Sequence, residues 1–310
     1  MFKNAYRLPF KLLGIPLYLD VTFLIILPLF AWLIATQIEV FIEIAQLPIG
    51  AAPLVEGLTP YLLGLAAAIG LFISVVIHEL GHAATGRVYN VETERITLWL
   101  LGGMAQFKEM PRQRGGEAVV AIAGPITSFG LAILGWLLLQ VVPPAMGGLY
   151  FVLAYVTYMN VALAVFNLIP ALPLDGGRVL RSLLALRMSH LRATEVSASI
   201  SRVLAVALGL FGLLAFNIIL ILIAFFIYMA GSAESRYAAF TAALENIGVA
   251  DLMTRQVSTV SPQMSVAELI EKMLREAHLG YPVTDGTEHV VGMIELDNVH
   301  NAPRETTVQE

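Results

Sequence analysis

The stretch ISVVIHELGHAATG, residues 73–86, places two histidines and a glutamate inside an apolar run. Ionisable groups at membrane depth are costly and mark function. His78 and His82 stand four residues apart, so on a helix both imidazoles share one face and can point two ring nitrogens at one metal ion. Glu79 is turned about 100° around the same helix, close enough to reach water at the metal without being a ligand. H-E-x-x-H on a helix is the zinc-hydrolase pattern. The plainer alternative, a polar cavity lined by two histidines, would bury three such groups without a metal at a considerable cost.

Composition decides where that helix sits. Hydrophobic residues make up 58% of the 310 positions and charged residues 13%, and the apolar runs are too long and too many for a soluble core. The chain reads as a polytopic membrane protein whose surroundings are the lipid bilayer. A net charge of −5 without a Lys/Arg cluster gives no reason to expect nucleic acid or a specific headgroup as partner. With zero cysteines, disulfides and thiolate sites are excluded, and any metal must be held by His, Asp or Glu. The amino end, MFKNAYRLPFKLLGIPLYLD, is basic and interrupted, so the first apolar run reads as a retained anchor and not a cleaved signal.

At about 20 apolar residues per span, six spans are expected, over 21–37, 60–86, 117–142, 149–170, 200–215 and 216–232. Lys3, Arg7 and Lys11 precede the first; Arg87, Arg95, Lys108, Arg112 and Arg114 separate the second and third; Arg178, Arg181, Arg187 and Arg192 follow the fourth. The connections after the first and third spans carry no Lys or Arg. The positive-inside rule then puts both termini in the cytoplasm of a multi-pass plasma-membrane protein. His78 precedes Arg87 by nine residues, about 13 Å of helix, and so lies below the cytoplasmic surface.

Catalytic zinc takes three protein ligands and keeps one position open. Asp175, in NLIPALPLDGGRVL (167–180), is the strongest third candidate. It ends an apolar span, follows two prolines that stop a helix and precedes two glycines that permit close backbone approach. The plainer alternative is a cap for the helix starting near Gly177, and the two roles can coexist.

A substrate helix hides its peptide bonds in internal hydrogen bonds, so cleavage requires an extended segment whose backbone groups are satisfied elsewhere. RITLWLLGGMAQF, residues 95–107, is broken by Gly102-Gly103 and reads as a hairpin dipping into the membrane. The edge carrying Gly102, Gly103 and Met104 offers strand addition to such a substrate. The alternative is an interfacial loop with Trp99 at headgroup level. Gly124-Pro125 reads as a packing and kink feature. His190, His278, His289 and His300 carry no ligand spacing.

His78-Glu79-Leu80-Gly81-His82 and Asn167-Leu-Ile-Pro170-Ala-Leu-Pro173-Leu-Asp175-Gly176-Gly177, with Gly102-Gly103 and Ala123-Gly124-Pro125, resemble the site-2 protease family of intramembrane zinc metalloproteases over roughly residues 8–232. That resemblance implies one Zn2+ per chain held by His78, His82 and Asp175. It makes Glu79 the catalytic base and Asn167 a polar group near the reacting carbonyl, and gives a membrane-spanning protein as substrate in regulated intramembrane proteolysis. On its chemistry alone, Asn167 could donate to an oxyanion or make a helix–helix hydrogen bond.

Beyond residue 232 the character changes. Residues 233–248 read as a helical linker, and 249–310 as a small soluble domain in which Val266, Leu269, Ile270, Met273 and Leu274 follow helical spacing while YPVTD and VVGMI read as strands. This tail resembles one cystathionine-β-synthase (CBS) motif, with a fragment of a second at PRETTVQE, 303–310. Such motifs pair and bind adenine nucleotides between the copies. The resemblance therefore implies ATP or another adenine nucleotide as a regulatory ligand, and a homodimer through the tail as one way to complete the pair. A purely dimerising or substrate-docking tail is the other reading.

The expected fold class is an all-α polytopic membrane domain, residues 1–232, with about six transmembrane helices and a membrane-associated β-hairpin, followed by the linker and a small α/β CBS-like cytoplasmic domain. The expected activity is intramembrane metalloproteolysis. A non-haem iron enzyme shares the two-His, one-carboxylate shell but leaves Glu79 idle. A CBS-gated transporter would be expected to show internal repeats, and none is obvious.

Overall fold

The computed structural model describes residues 5–100, 102–108, 115–244, 247–287, 289–299, 302–303 and 305–309; Lys3, Arg112, Arg114 and His300 lie outside them. Two compact units result, Met1–Leu244 and Glu245–Glu310.

The first unit opens with strands β1 (Ala5–Leu12) and β2 (Ile15–Asp20), followed by helices α1 (Val21–Thr36) and α2 (Ile38–Ile44). The long helix α3 (Thr59–Val88) leads into strands β3 (Thr93–Trp99) and β4 (Gly102–Phe107). Then come α4 (Gly116–Leu139), α5 (Gly147–Asn167), the short α6 (Asp175–Leu184), α7 (His190–Leu214) and α8 (Ile218–Leu244). Five of these, α3, α4, α5, α7 and α8, are long and apolar enough to cross a membrane; α1 and α2, bent by 61° at their junction, bring the number to six if they count as one span.

Several boundaries depart from the sequence expectation. The first span is a 16-residue helix, about 24 Å long, shorter than a hydrocarbon core of about 30 Å; the bent α2 extends it. Helix α7 begins at His190, ten residues before the expected start, where Ser189 caps it by accepting from the Arg192 N–H. The last span continues to Leu244. Residues 233–244 hold many good helix formers and no Gly or Pro, so nothing interrupts the helix where the linker was expected to begin. The turn before α8 ends at Asn217, whose Oδ1 accepts from the N–H groups of Ile219 and Leu220, a helix N-cap.

The hairpin expected at 95–107 is present as β3–β4, and it belongs to a larger sheet in the order β1-β2-β3-β4, with β2 and β3 parallel. The amino-terminal hairpin was not expected. Its turn uses Leu13 (φ 50°) and Gly14 (φ 78°), a pair of left-handed residues matching the twist of adjoining strands, without the Asn-Gly or Asp-Gly that signals such a turn.

Helix α3 is the axis of the membrane unit. Phe72 meets Phe23 and Phe30 of α1 edge to face at 4.7 and 6.1 Å, while Ala67 and Ala68 are fully buried. Outward-facing Leu24, Trp32, Ile73, Ile133 and Trp136 are exposed, as an apolar surface solvated by lipid requires. Across the bundle the Asn160 amide donates to Ser74 Oγ at 2.9 Å. The interhelical hydrogen bond considered for Asn167 is thus made two turns earlier on the same helix by Asn160.

In the second unit α9 (Val249–Leu252), α10 (Val266–Glu276), the antiparallel pair β5 (Gly280–Thr284) and β6 (Val290–Glu295), and α11 (Leu296–Val299) surround a core that includes Val260, Leu269, Met273, Tyr281 and Val283. Of the expected helical stripe, Val266, Leu269 and Met273 are buried and Ile270 packs beside them, but Leu274 is exposed. The segment 305–309 folds back: Val266 N–H donates to Thr306 O and Val308 N–H to Met264 O. What resembled the start of a second motif helps close the first.

Candidate active site

On α3, His78 and His82 are 3% and 5% exposed, and their Nε2 atoms lie 3.1 and 3.2 Å from Asp175 Oδ2. The three donor atoms lie within 4.8 Å of one another. Ligand atoms in a tetrahedral shell with bonds of about 2.0–2.1 Å stand about 3.3 Å apart, so this constellation fits a zinc-sized cation.

The outer nitrogens fix which atoms face inward. His82 Nδ1 lies 2.8 Å from the carbonyl of Val120, which can only accept, so Nδ1 carries the proton and in the neutral ring Nε2 has the lone pair a metal requires. His78 Nδ1 is 2.8 Å from Ser128 Oγ. Both partners lie on α4. Gly124, between them, has no side chain to put there: a Cβ would stand 2.3 Å from His82 Nε2 and 2.5 Å from His78 Nε2. The sequence reading of Gly124 as a packing position is incomplete, because what it packs against is the donor set itself. No motif spacing could have singled out Ser128 or the Val120 carbonyl.

Asp175 is the first residue of α6; Leu174 is its N-cap and no side-chain cap bond is made. The capping role considered for Asp175 is not adopted, since its Oδ2 is turned to the histidines. The two following glycines press against the preceding turn, where a Cβ at Gly176 would lie 2.3 Å from Leu168 O, so α6 can begin directly beneath the end of α5.

Glu79 stands outside the three-donor set. Its Oε2 accepts from the Ala105 N–H of β4 at 2.9 Å, and a Cβ on Gly103 would fall 2.7 Å from Glu79 Cγ. Gly102 has φ +123° and open space beside it, so its requirement is backbone conformation and Gly103's is close approach. Ala105 is paired with Ile96, yet its N–H goes to Glu79, so its main-chain groups point away from β3; alternation gives Gly103 the same orientation. β4 is the last strand of its sheet, and this edge faces a cavity of about 210 Å³. His78, Glu79, His82 and Asp175 line the cavity together with Gly102, Gly103, Met104 and Asn167. Trp99 lines it too. Asn167, the last residue of α5, turns one amide N–H back to Leu163 O at 3.0 Å, a third arrangement beyond the two considered for it. Arg178, which the sequence used only to orient the chain, also reaches this cavity.

Fold and site together define a multi-pass membrane protein with a buried metal-binding hydrolytic centre. The family model for peptidase family M50 matches residues 66–146 and 143–210, and the CBS domain model matches 249–305. A zinc metalloprotease of Methanocaldococcus jannaschii is 35% identical over 301 residues, covering 97% of this chain and 80% of its own length. Rip3 of Mycobacterium tuberculosis is 32% identical over 298 residues, 92% of this chain and 73% of its own. The solved site-2 protease from M. jannaschii superposes with a TM-score of 0.50 at 34% identity, over 75% of this chain and 95% of that one. The chain belongs to peptidase family M50, the site-2 proteases: it is an intramembrane zinc metalloprotease with a CBS domain.

Proposed function

We propose that this protease is an endopeptidase acting on membrane-spanning protein substrates, with His78, His82 and Asp175 as the ligands of one Zn2+ and Glu79 as the base. The observation that carries the reading is the convergence of two Nε2 atoms and one carboxylate oxygen, with a second carboxylate held just outside them by a backbone N–H. When bound, zinc polarises a carbonyl and brings the pKa of water toward neutrality. The residues of the chain do the rest. Glu79, with Oε2 tied to Ala105, keeps Oε1 available to take a proton from water and return it to the leaving nitrogen. Asn167 has a second amide N–H that can donate to the carbonyl oxygen as negative charge develops there.

The β4 edge supplies the other requirement. Gly102, Gly103 and Met104 line the cavity with the main-chain groups of Gly103 turned outward, and an unwound substrate pairs with this edge by strand addition, so that its backbone groups stay satisfied outside its own helix. The basic connections favour cytoplasmic termini, which puts the CBS unit in the cytoplasm. There an adenine nucleotide, with a homodimer completing the motif pair, would set activity; saturable ATP binding to the purified chain tests that part.

The main test is cleavage of a single-span substrate, with zinc analysis, for the wild type and Glu79→Gln. The proposal expects zinc in both, cleavage by the wild type alone, and a new terminus inside or beside the substrate span. Trimming from a substrate end, or wild-type cleavage by Glu79→Gln, overturns it.

A further inference from the structure

One buried charge cluster has no part in the chemistry above. Arg181, on α6, is 4% exposed. Its Nε donates to Glu117 Oε1 at 3.0 Å and its Nη2 also pairs with Glu117, while Nη1 donates to Glu234 Oε1 at 2.6 Å. Glu117 lies in the first turn of α4 and Glu234 on α8. The next residue of α6, Ser182, accepts from the Ala118 N–H through Oγ at 3.1 Å. Helix α6 is therefore bound to the start of α4 by two adjacent side chains and to α8 by one.

The position of this cluster gives it meaning. Helix α4 holds both histidines, through the Val120 carbonyl, Ser128 Oγ and the flat face at Gly124. Helix α6 carries Asp175 at its first residue, six residues before Arg181, about 9 Å along one rigid axis. The distance from Asp175 Oδ2 to the two Nε2 atoms is thus set by how α6 sits on α4. The guanidinium fork bridges those helices with directional, charge-assisted bonds. Glu234, whose side chain is 40% exposed, is the open arm, on the helix whose end at Leu244 adjoins the second unit in the chain.

We propose that Arg181, clamped between Glu117 and Glu234, is a positioning residue for the zinc ligand Asp175, and that Glu234 is the point at which helix α8 acts on the metal centre. This rests on the assignment of Asp175 as a ligand. Any shift of α8 that weakens the Glu234 contact loosens α6 and lowers zinc retention and turnover together, while the substrate edge on β4 is untouched.

The experiment uses the full chain in detergent. Glu234→Gln is the primary variant, because that side chain is partly exposed and the fold keeps Glu117 on Arg181. Arg181→Lys, which keeps the charge and loses the fork, is the second, and Arg192→Ala, which breaks the exposed Arg192–Glu195 pair, is the control. Zinc release to a chelator, kcat, KM and Tm are measured. Positioning predicts zinc release about tenfold faster and kcat about tenfold lower, the scale of outer-shell losses at metal sites, with KM and Tm near wild type in Glu234→Gln and the control unchanged. Wild-type zinc release and kcat in both variants, or a lowered Tm without faster zinc release, overturns the proposal. A wild type without zinc, or an Asp175→Asn that binds zinc as the wild type does, would instead remove the assignment beneath it.

Discussion

Adding a single methyl group at Gly124 tests the site's geometry from outside its own chemistry. In Gly124→Ala the new carbon would stand 2.3 Å from His82 Nε2 and 2.5 Å from His78 Nε2, well inside ordinary contact. Either α4 retreats or the rings rotate. Retreat stretches the 2.8 Å bonds from His78 Nδ1 to Ser128 and from His82 Nδ1 to Val120; rotation turns Nε2 away from Asp175. Overpacking of this kind costs about 1–3 kcal/mol, and an unmet buried polar group adds about 1–3 kcal/mol. If about 3 kcal/mol of this falls on the metal-binding arrangement, affinity drops about a hundredfold at 1.4 kcal/mol per decade. The assay is competition for zinc with a chelator of known affinity. Gly130→Ala on the same helix, where nothing lies within 4 Å, controls for the change in helix propensity. If Gly124→Ala retains zinc within threefold of wild type while Gly130→Ala behaves likewise, the reasoning about this contact is wrong.

Asp175→Asn, which keeps shape and removes the charge facing two imidazoles, is expected to cut zinc affinity by about a hundredfold or more and to abolish cleavage; zinc titration reads the first and product analysis the second. Gly103→Val drives a side chain against Glu79 Cγ and Val75 Cγ1, 2.7 and 2.8 Å from the new Cβ; it should keep zinc and lose about a hundredfold in kcat, the scale of a misplaced catalytic group, and a normal kcat would contradict the positioning of Glu79 by β4. In the CBS unit, Ser265→Ala removes a reciprocal cap with Glu268 and should cost α10 about 1 kcal/mol, visible as faster amide exchange over 266–276. The Glu268 pKa is lowered chiefly by the backbone N–H of Ser265 and then by its hydroxyl, so the stabilisation is present above the ordinary carboxylate range and is lost as pH falls through the lowered value. The stability gap between wild type and Glu268→Gln should accordingly narrow on acidification, and a gap that widened would refute that sign.

The residues nearest the chemistry were legible because their types are expensive in a membrane. Two histidines four apart and an aspartate at the break of a span have few structural reasons to be there, and their spacing names the chemistry. Backbone donors leave no such trace. The Ala105 N–H that holds Glu79 and the Val120 carbonyl that fixes the His82 tautomer belong to residues whose side chains say nothing. Gly124 was visible, but a glycine in a span has many uses, and only coordinates tell a helix crossing from a metal pocket. The amino-terminal hairpin was hidden by an atypical Leu13–Gly14 turn and by the parallel pairing of β2 with β3, which joins segments more than 70 residues apart. Arg181 could be counted for topology from sequence, but its two carboxylate partners lie 64 and 53 residues away.

Zinc K-edge absorption on the zinc-loaded chain measures the central claim at the atoms concerned. The account predicts a shell with two imidazoles and oxygen donors at about 2.0–2.1 Å, unchanged in Glu79→Gln and altered in Asp175→Asn. A shell with fewer than two imidazoles, or one that changes with Glu79 and ignores Asp175, would contradict it.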